Sequence, residues 1–365
     1  MVTAACNLRC EYCYADAGDH AVELFDRAMA RDAARWVVDN AAAAGVSEAH
    51  LNFHGGGEPT LDFDLIEHVV TWARVYAANE HDGRVRVVAG MVTNGMTTPA
   101  RLEWIAENMD SVQVSYDGPQ EVHDRQRPTI HGKGSAAVVR RAILHLQGRV
   151  PDLLVKATIS AASVNSMSEI AEHFCTTFSL PRFHFGPVLG AGRGRFPQFG
   201  EPDPVDFVAN YLKAKEVAAG YGRTIVVSGA ENTFPRIRET FCGVTDPNFA
   251  LTPSGHISSC YEVMYEGDPR SGAHFFGRYD PEFRSFVTDT DRVRQARSRS
   301  VQGLDRCARC FAKWQCAGDC QIRWLDSLSG EESVGLDVRC EINRSLISRR
   351  VFVEIDRVHG PRGEG

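Results

Sequence analysis

The sequence predicts an α/β protein in which a parallel β-sheet is covered by helices. Short apolar segments alternate with longer segments of helical periodicity between residues 25 and 227. Glycine-rich and polar segments follow several of the predicted strands. In a parallel sheet the carboxyl ends of the strands lie along one edge, where α/β proteins place their active sites. Cysteines are grouped near the start and near the end of the chain, so we expect a metal-dependent site at that edge.

The elements follow one another in a regular order. The predicted strands are 49–53, 85–92, 112–114, 153–159, 183–185 and 224–227. The predicted helices are one from Phe25 to about Gly45, then 61–78, 99–108, one after Gly134, 166–178 and 205–219. Because strand and helix alternate throughout, we expect parallel strands with the helices packed outside. The glycine-rich and basic segment 186–204 is predicted to be a loop that crosses the cleft, with arginines that either bind an anionic group or are solvated.

Composition excludes several classes of protein. The 365 residues are 43% hydrophobic and 24% charged, as in ordinary globular proteins, and the net charge of −7 argues against nucleic-acid binding. No apolar run reaches the ~18 residues of a membrane helix, and the first residues do not resemble a secretory signal. The 11 cysteines are therefore interpreted as metal ligands in a reducing compartment, and we expect a cytoplasmic protein.

The first cysteine group has the spacing C-x3-C-x2-C. Cys6, Cys10 and Cys13 can surround one small inorganic core, and thiolates are the ligands that iron–sulfur clusters prefer. Three ligands leave one iron of a four-iron cluster open, and an open metal position usually serves chemistry. The alternative is a structural zinc site, but such sites have four ligands, and nothing at zinc spacing completes this set nearby.

Three polar loops follow predicted strands. They are His54-Gly55-Gly56-Gly57-Glu58-Pro59-Thr60, Thr93-Asn94-Gly95 and Ser115-Tyr116-Asp117-Gly118. Glycine lets the backbone approach a ligand closely, and a carboxylate in such a loop can accept from an ammonium group. Each loop alone is compatible with an ordinary turn. The expected convergence of all three on one cleft is the stronger indication of a binding site.

The later cysteines form a second pattern. Cys242, Gly255 and Cys260 fit C-x12-G-x4-C, and the segment 251–263 is predicted to be a hairpin that turns at residues 253–255. Four further cysteines fit C-x2-C-x5-C-x3-C, and one more follows: Cys307, Cys310, Cys316, Cys320 and Cys340. Cys175 lies on the apolar side of a predicted helix and is expected to be a buried core thiol.

The first cysteine group, with Tyr12 before its last cysteine, resembles the signature of the radical S-adenosylmethionine (SAM) superfamily. The resemblance implies that the open iron chelates SAM and that Tyr12 lies beside the adenine. Gly56, Gly57 and Glu58 match the motif that contacts the SAM amino group. Ribose and methionine contacts are implied for Thr93, Asn94 and Ser115, and a carboxylate contact for Arg127, with Arg125 as its rival.

The later seven cysteines resemble the SPASM domain, which carries auxiliary clusters on peptide-modifying radical SAM enzymes. By that resemblance Cys307, Cys310, Cys316 and Cys340 hold one [4Fe–4S] cluster completely. Cys242, Cys260 and Cys320 hold a second, whose fourth ligand is not supplied. Sulfatase-maturing members have an extra cysteine here, and residues 243–249 contain none. We therefore expect an open site, a water or carboxylate ligand such as Asp246, or a substrate ligand.

The resemblance also implies the architecture. We expect a partial (β/α)6 TIM-like barrel with a C-terminal SPASM domain: residues 1–200 as barrel, 201–240 as linker, 241–350 as SPASM domain and 351–365 as tail. Only five residues precede Cys6, whereas the family has a full strand there. The expectation is that the first strand is clipped or starts upstream, and that this chain carries no leader-peptide-binding domain.

The function implied is that of a radical SAM/SPASM peptide maturase. A 5′-deoxyadenosyl radical removes a hydrogen atom from the substrate, and auxiliary clusters imply a net oxidation that cross-links side chains of a ribosomally made precursor peptide. The expected cofactors are SAM and three [4Fe–4S] clusters. The expected partners are the peptide, an electron donor such as flavodoxin or ferredoxin, and a separate leader-peptide-binding protein, with no nucleic acid and no membrane.

Two other functions are alternatives to peptide maturation. The first is anaerobic sulfatase maturation, in which family members place an aspartate base directly after the second SPASM cysteine; here that position is Tyr261. The second is a non-catalytic iron–sulfur carrier or zinc scaffold, which has no need of the three polar loops.

A catalytic role is predicted for the pair that follows Cys260. If this segment is a strand, Glu262 points the same way as Cys260 and Tyr261 the opposite way. Glu262 is then the predicted proton acceptor during substrate oxidation, and a solvated strand residue is the alternative.

Overall fold

The computed structural model describes residues 1–20, 23–229, 236–245, 248–323 and 336–359, and it confirms the predicted α/β fold. Six strands form one parallel sheet in chain order. They are β1 (Glu48–Phe53), β2 (Arg86–Thr93), β3 (Ser111–Ser115), β4 (Asp152–Ile159), β5 (Arg182–Pro187) and β6 (Thr224–Val227). All six were predicted to within two residues at each end. The sheet corresponds to the partial barrel that was expected.

Helices connect these strands. They are α1 (Arg27–Ala43), α2 (Phe63–Glu80), α3 (Pro99–Asn108), α4 (Gln120–Gln126), α5 (Ala136–Leu146), α6 (Met167–Thr177) and α7 (Pro204–Gly220). Side chains of Asp26, Thr98 and Asp203 cap the amino ends of α1, α3 and α7 by accepting backbone N–H groups. Helix α4 was not predicted, because its seven residues are too few to show a clear apolar period.

The hydrophobic core lies between the sheet and its helices. Along β4, Val155, Ala157 and Ile159 are buried on the face of the sheet that packs against the helices. Leu154, Lys156 and Thr158 alternate with these residues and lie on the opposite face, which lines the cleft. Large aromatic side chains complete the core: Tyr116, Phe174, Phe178, Phe183 and Phe185. Cys175 is buried among them, as predicted.

The later part of the chain forms a second, antiparallel sheet in the order β10-β9-β8-β7. Its strands are β7 (Ala250–Leu251), β8 (His256–Ser258), β9 (Phe275–Asp280) and β10 (Ser285–Thr288). The accompanying helices are α8 (Ser271–His274), α9 (Thr290–Ser298), α10 (Lys313–Cys316) and α11 (Leu336–His359). β7 and β8 form the predicted hairpin, but β8 ends at Ser258 and residues 259–262 form a turn.

Two predicted boundaries do not coincide with breaks in the structure. Strand β6 belongs to the parallel sheet although it lies within the predicted linker 201–240. The tail was predicted to begin at residue 351, but helix α11 continues past this boundary to His359. Asp246, a suggested cluster ligand, lies outside the described residues. No helix within the described ranges combines the length and apolar character that crossing a membrane requires.

Candidate active site

The loop with the first three cysteines lies against the glycine-rich loop that follows β1. The backbone N–H of Gly57 donates to Thr3 O at 3.0 Å, and that of Glu58 donates to Ala5 O at 2.8 Å. A Cβ atom on Gly57 would lie 2.0 Å from Ala5 O, so only glycine fits here. These contacts fix the chain just before Cys6. A Cβ atom on Gly56 would lie 2.8 Å from Met264 Sδ, so the methionine side chain would have to move.

The thiols of Cys6, Cys10 and Cys13 lie close enough to influence one another. Burial raises the pKa of Cys10 to about 12; Arg127 opposes this rise, and the neighbouring Cys13 and Cys6 add to it. Cys13 Sγ accepts the backbone N–H of Ala17 at 3.4 Å. Such buried thiols are stable as thiolates only when a metal or cations neutralise them.

Among the described residues, no three His, Cys, Asp or Glu side chains are close enough to share one metal ion. Three thiolates are a ligand set that iron–sulfur clusters accept. The choice of a cluster over zinc at Cys6, Cys10 and Cys13 stays a prediction from the sequence.

Glu58 is 2% exposed and accepts hydrogen bonds from three donors. Its Oε1 accepts from Thr60 N at 3.0 Å and from Thr93 Oγ1 at 2.7 Å, and its Oε2 accepts from Asn94 N at 2.7 Å. Burial raises the pKa of Glu58, whereas these donors lower it. The carboxylate thus joins the loops after β1 and β2, and Oε2 still has a lone pair that a SAM ammonium could use.

Asn94 connects the loop after β2 to the cysteine loop. Its Nδ2 donates to Asn7 Oδ1 at 2.8 Å and lies 3.8 Å from Cys6 Sγ, while its Oδ1 accepts from Met96 N at 2.8 Å. Both ends of the amide are therefore engaged by protein. The predicted SAM contact at Asn94 stays a prediction, and its position beside Cys6 is consistent with it.

Asp117 is the residue that sequence reasoning missed. It is fully buried, and its carboxylate accepts from the hydroxyl of Tyr12, from Gln126 Nε2 and Arg127 Nε at 2.9 Å, and from Thr158 N at 3.0 Å. Its signal in the sequence was only Asp-Gly, which reads as a turn. Asp117 binds the cysteine loop, α4 and β4 to one another.

Arg127 and Tyr12 lie together beside the cysteine loop. The guanidinium of Arg127 lies 5.2 Å from the centre of the Tyr12 ring and its Nη1 is 3.8 Å from Cys10 Sγ. Burial would lower the pKa of Arg127, but Asp117, Tyr12 and Cys10 hold it well above its usual range. Its rival Arg125 instead lies over the Phe199 ring at 5.4 Å. Ser115 lies half-buried at the end of β3.

The loop 186–204 covers the cysteine loop. Arg193 donates from its backbone N–H to Cys13 O at 3.0 Å and from Nε to Cys10 O at 2.9 Å, and its guanidinium pairs with Asp19. It therefore holds protein groups rather than a substrate anion. Arg195 is exposed.

Four of the later cysteines line one cavity of about 160 Å³: Cys307, Cys310, Cys316 and Cys340. These are the four that the SPASM resemblance assigned to one cluster. Asn343 Nδ2 lies 3.5 Å from Cys316 Sγ, and Arg306 Nη2 lies 3.1 Å from Cys340 Sγ. Such donors stabilise thiolate sulfur. Four thiols on one cavity are the ligand set that a [4Fe–4S] cluster requires.

Cys242, Cys260 and Cys320 are also neighbours. Burial raises the pKa of Cys260 well above its usual value, and the nearby Cys320 and Cys242 add to the rise. Between this set and the four-cysteine cavity lies Asp319, whose carboxylate pairs with Arg339 and accepts from Cys320 N at 2.6 Å and from Asn343 Nδ2 at 2.5 Å. Asp319 thereby fixes both cysteine sets relative to each other.

The geometric argument for Glu262 was wrong. Residues 260–262 form a turn, so strand alternation does not decide where these side chains point. Glu262 Oε2 accepts from Arg323 Nη2 at 2.8 Å and lies 3.8 Å from Arg270 Nη1. The ring of Tyr261 packs on His54 with centroids 4.2 Å apart. The catalytic roles of both residues stay predictions.

The sequence of this chain is similar to those of known protein families and curated proteins. The family model of the Radical SAM superfamily matches residues 1–174. The sporulation killing factor maturation protein SkfB of Bacillus subtilis is 26% identical over 201 residues, which are 53% of this chain and 42% of SkfB. The chain spans less than half the length of the curated relatives it matches first.

Two solved structures share the fold over most of the chain. Native anSMEcpe with bound AdoMet has a TM-score of 0.73 at 16% identity, covering 99% of this chain and 98% of that chain. SuiB of Streptococcus suis bound to S-adenosylmethionine has a TM-score of 0.59 at 13% identity, covering 90% of this chain and 73% of that chain. At these identities the likeness concerns the fold.

Proposed function

We propose that this chain, whose residues 1–174 form a radical SAM domain, is a maturase that oxidatively modifies side chains of a ribosomally made peptide. The observation that carries the proposal is that the same chain contains both the four-cysteine cavity and the three-cysteine loop. SkfB is a maturation protein, and SuiB has been solved with its precursor peptide SuiA. These names support a peptide as the substrate, and cross-linking is the reaction proposed from the sequence.

The proposed cofactors are SAM and three [4Fe–4S] clusters, one at the cysteine loop and two at the later cysteines. When bound, SAM and the first cluster supply a radical that removes a hydrogen atom from an unactivated carbon. The chain's own contribution is position. Glu58 holds the loop after β2 against the cysteine loop, with a free lone pair for the SAM amino group. Arg127 holds a guanidinium beside Cys10 for the SAM carboxylate.

The later cysteine sets would hold two clusters, which could accept the electron that leaves the substrate. Asp319 and Arg339 form a buried pair that holds the two sets at a fixed separation. Oxidation of a substrate radical also releases a proton, and Glu262 is the proposed acceptor from the sequence. The proposed electron donor is a flavodoxin or ferredoxin, and a separate protein is proposed to bind the leader of the peptide.

Sulfatase maturation is the second candidate, because the fold of anSMEcpe, a SPASM-type sulfatase maturase, covers 99% of this chain. Against it, Tyr261 stands where an aspartate base is expected, and its ring packs on His54. Incubation of the reconstituted protein with the Cp18Cys peptide, which anSMEcpe binds, separates the two. Conversion of its cysteine to formylglycine, read as a mass change, would favour sulfatase maturation.

Iron content and SAM cleavage test the proposal directly. The anaerobically reconstituted chain should hold about twelve irons, and the variant Cys6→Ala/Cys10→Ala/Cys13→Ala about eight, with no 5′-deoxyadenosine formed. The matched control is Cys175→Ala, which removes a buried core thiol and should leave iron content and SAM cleavage unchanged. 5′-Deoxyadenosine from the triple variant would refute the assignment.

A further inference from the structure

Lys156 lies on the cleft face of β4. Its register partners are Ser115 on β3 and His184 on β5, so the three residues lie side by side across the sheet. A Cβ atom on Gly186 would lie 3.4 Å from Lys156 Cε and 3.5 Å from His184 Cε1, which places both side chains over the same backbone. Thr158, two residues further along this face, accepts a hydrogen bond from Arg127 at 3.4 Å. One end of this row therefore adjoins the three-cysteine loop.

The other end of the row adjoins the later cysteines. His184 Nε2 lies 2.7 Å from Ser228 Oγ, and the carbonyl of Ser228 accepts from Arg339 Nη2 at 3.2 Å. Arg339 pairs with Asp319, the residue before Cys320. Lys156 and His184 thus lie between the two metal sites, which is where a substrate must be placed to react at one and transfer an electron to the other.

The buried acids of the cleft are engaged by groups other than Lys156. Each buried acid already has partners: Glu58 has three donors, Asp117 has Arg127, Glu262 has Arg323, and Asp319 has Arg339. Lys156 makes no ion pair with any described residue. Burial, with Arg127 and Arg339 nearby, lowers the pKa of Lys156 to about 8. An anion at this position would relieve that repulsion.

Two buried ring nitrogens near Lys156 lack hydrogen-bond partners within the described ranges, His54 Nδ1 and His184 Nδ1. Burial, with Lys156 nearby, lowers the pKa of His54 to about 4 and that of His184 to about 3, so both rings are neutral donors or acceptors. Buried polar groups are normally hydrogen-bonded, so two unpartnered nitrogens near one lysine favour a polar ligand there.

We propose that Lys156 binds a carboxylate of the peptide substrate, an aspartate or glutamate side chain next to the residue that is modified. The inference rests on the proposed peptide-modifying function. The carboxylate of SAM is the other source of the same chemistry. It is assigned to Arg127, which lies beside Cys10. His184 and His54 would bind the neighbouring amide groups of the peptide.

Competitive acetylation tests this proposal in the holoenzyme. The chain has lysines only at positions 133, 156, 213, 215 and 313, so mass spectrometry can follow each one after trace labelling with acetic anhydride. The probes are two blocked peptides of otherwise glycine, one with a central glutamate and one with a central glutamine. The glutamate peptide should slow acetylation of Lys156 about tenfold when its concentration is ninefold its Kd. The other four lysines serve as internal controls.

Three outcomes overturn the proposal: equal effects of the two peptides, no protection at any concentration, or protection by SAM without peptide. Calorimetry gives a second measure. Lys156→Met should abolish the preference for the glutamate peptide, Lys156→Arg should keep it, and Lys215→Met is the matched control on α7. Neither measurement requires turnover. An enzyme that cleaves SAM but leaves Lys156 unprotected would refute only this inference.

Discussion

Glu58 and Asp117 show how single buried carboxylates build this site. Burial of a carboxylate is costly unless several donors satisfy it. Glu58 accepts from three donors and Asp117 from four, and these donors come from separate loops. Each carboxylate therefore holds segments that are distant in the sequence in one fixed arrangement. The cysteine loop depends on both, through Asn94 and Tyr12.

Glu58→Gln should weaken SAM binding while iron content stays unchanged. In the unsubstituted protein these donors face a carboxylate. A glutamine would turn N–H groups toward some of them, and it would remove the negative charge that is expected to bind the SAM ammonium. The expected loss is about 1.5–3 kcal/mol in SAM affinity by calorimetry. Glu67→Gln, at an exposed position of α2, is the control. Unaltered SAM affinity would remove Glu58 from the site.

A double-mutant cycle separates two roles of Glu262. Its carboxylate pairs with Arg323, which is 3% exposed in its side chain. If the pair is structural, Glu262→Gln should lower stability by about 3–5 kcal/mol, and adding Arg323→Met should restore most of it. If Glu262 takes the substrate proton, Glu262→Gln should still form 5′-deoxyadenosine while cross-linked product falls. In that case the double variant stays inactive. Thermal unfolding and product yield, measured on the same samples, decide between them.

At the scale of elements, the close approach of two loops sets the position of the cysteines. Gly57→Ala would place a methyl group 2.0 Å from Ala5 O, so residues 4–6 must move. We expect reduced iron content at the first site and a lower melting temperature. Gly220→Ala, at the end of α7, meets nothing within 4 Å and is the control. Normal iron content and SAM cleavage in Gly57→Ala would show that this contact is dispensable.

At the scale of elements, the sequence predicts the strands of the parallel sheet better than the contacts between distant segments. The six parallel strands follow from apolar periodicity and from the alternation of strand and helix, both of which are local signals. Helix α4 is too short for that signal, and Cys260 lies beyond the strand that its neighbours suggested. The four cysteines that line one cavity were grouped beforehand by the resemblance of their spacing to that of the SPASM domain. The partners of Asp117 and Glu262 come from distant segments, and no local pattern encodes them.

The antiparallel sheet is joined to the rest of the molecule through contacts with helix α1. The antiparallel sheet packs on α1, where the Trp36 and Phe249 rings stack with centroids 4.5 Å apart. Asp32 on α1 is 2% exposed and accepts from Tyr279 Oη at 2.7 Å and Arg284 Nη2 at 2.9 Å. Because both sheets contribute to the cleft, this joint fixes the distance between the first and the later cysteine sets.

Stability of the whole chain should fall in mild acid because buried histidines stay neutral. His123 is fully buried, its Nδ1 accepts from Asp117 N at 3.1 Å, and burial lowers its pKa to about 4. The unfolded chain binds this proton near pH 6.5, so the contribution is complete above that pH and is lost as pH falls toward 4. At pH 5.5 the loss for one such histidine is about 1.4 kcal/mol relative to neutral pH.

His123→Gln keeps hydrogen-bonding capacity without a titrating ring, so the fall in melting temperature between pH 7.5 and 5.5 should shrink. The exposed His131→Gln serves as control. His274 is also buried, and burial with Arg299 and Arg270 nearby lowers its pKa to about 4, so part of the pH dependence should remain in His123→Gln and diminish further in the double variant. An unchanged slope in both variants would place the acid sensitivity elsewhere, either in the buried His54 and His184 or in the thiolate sites, whose ligands also take up protons as pH falls.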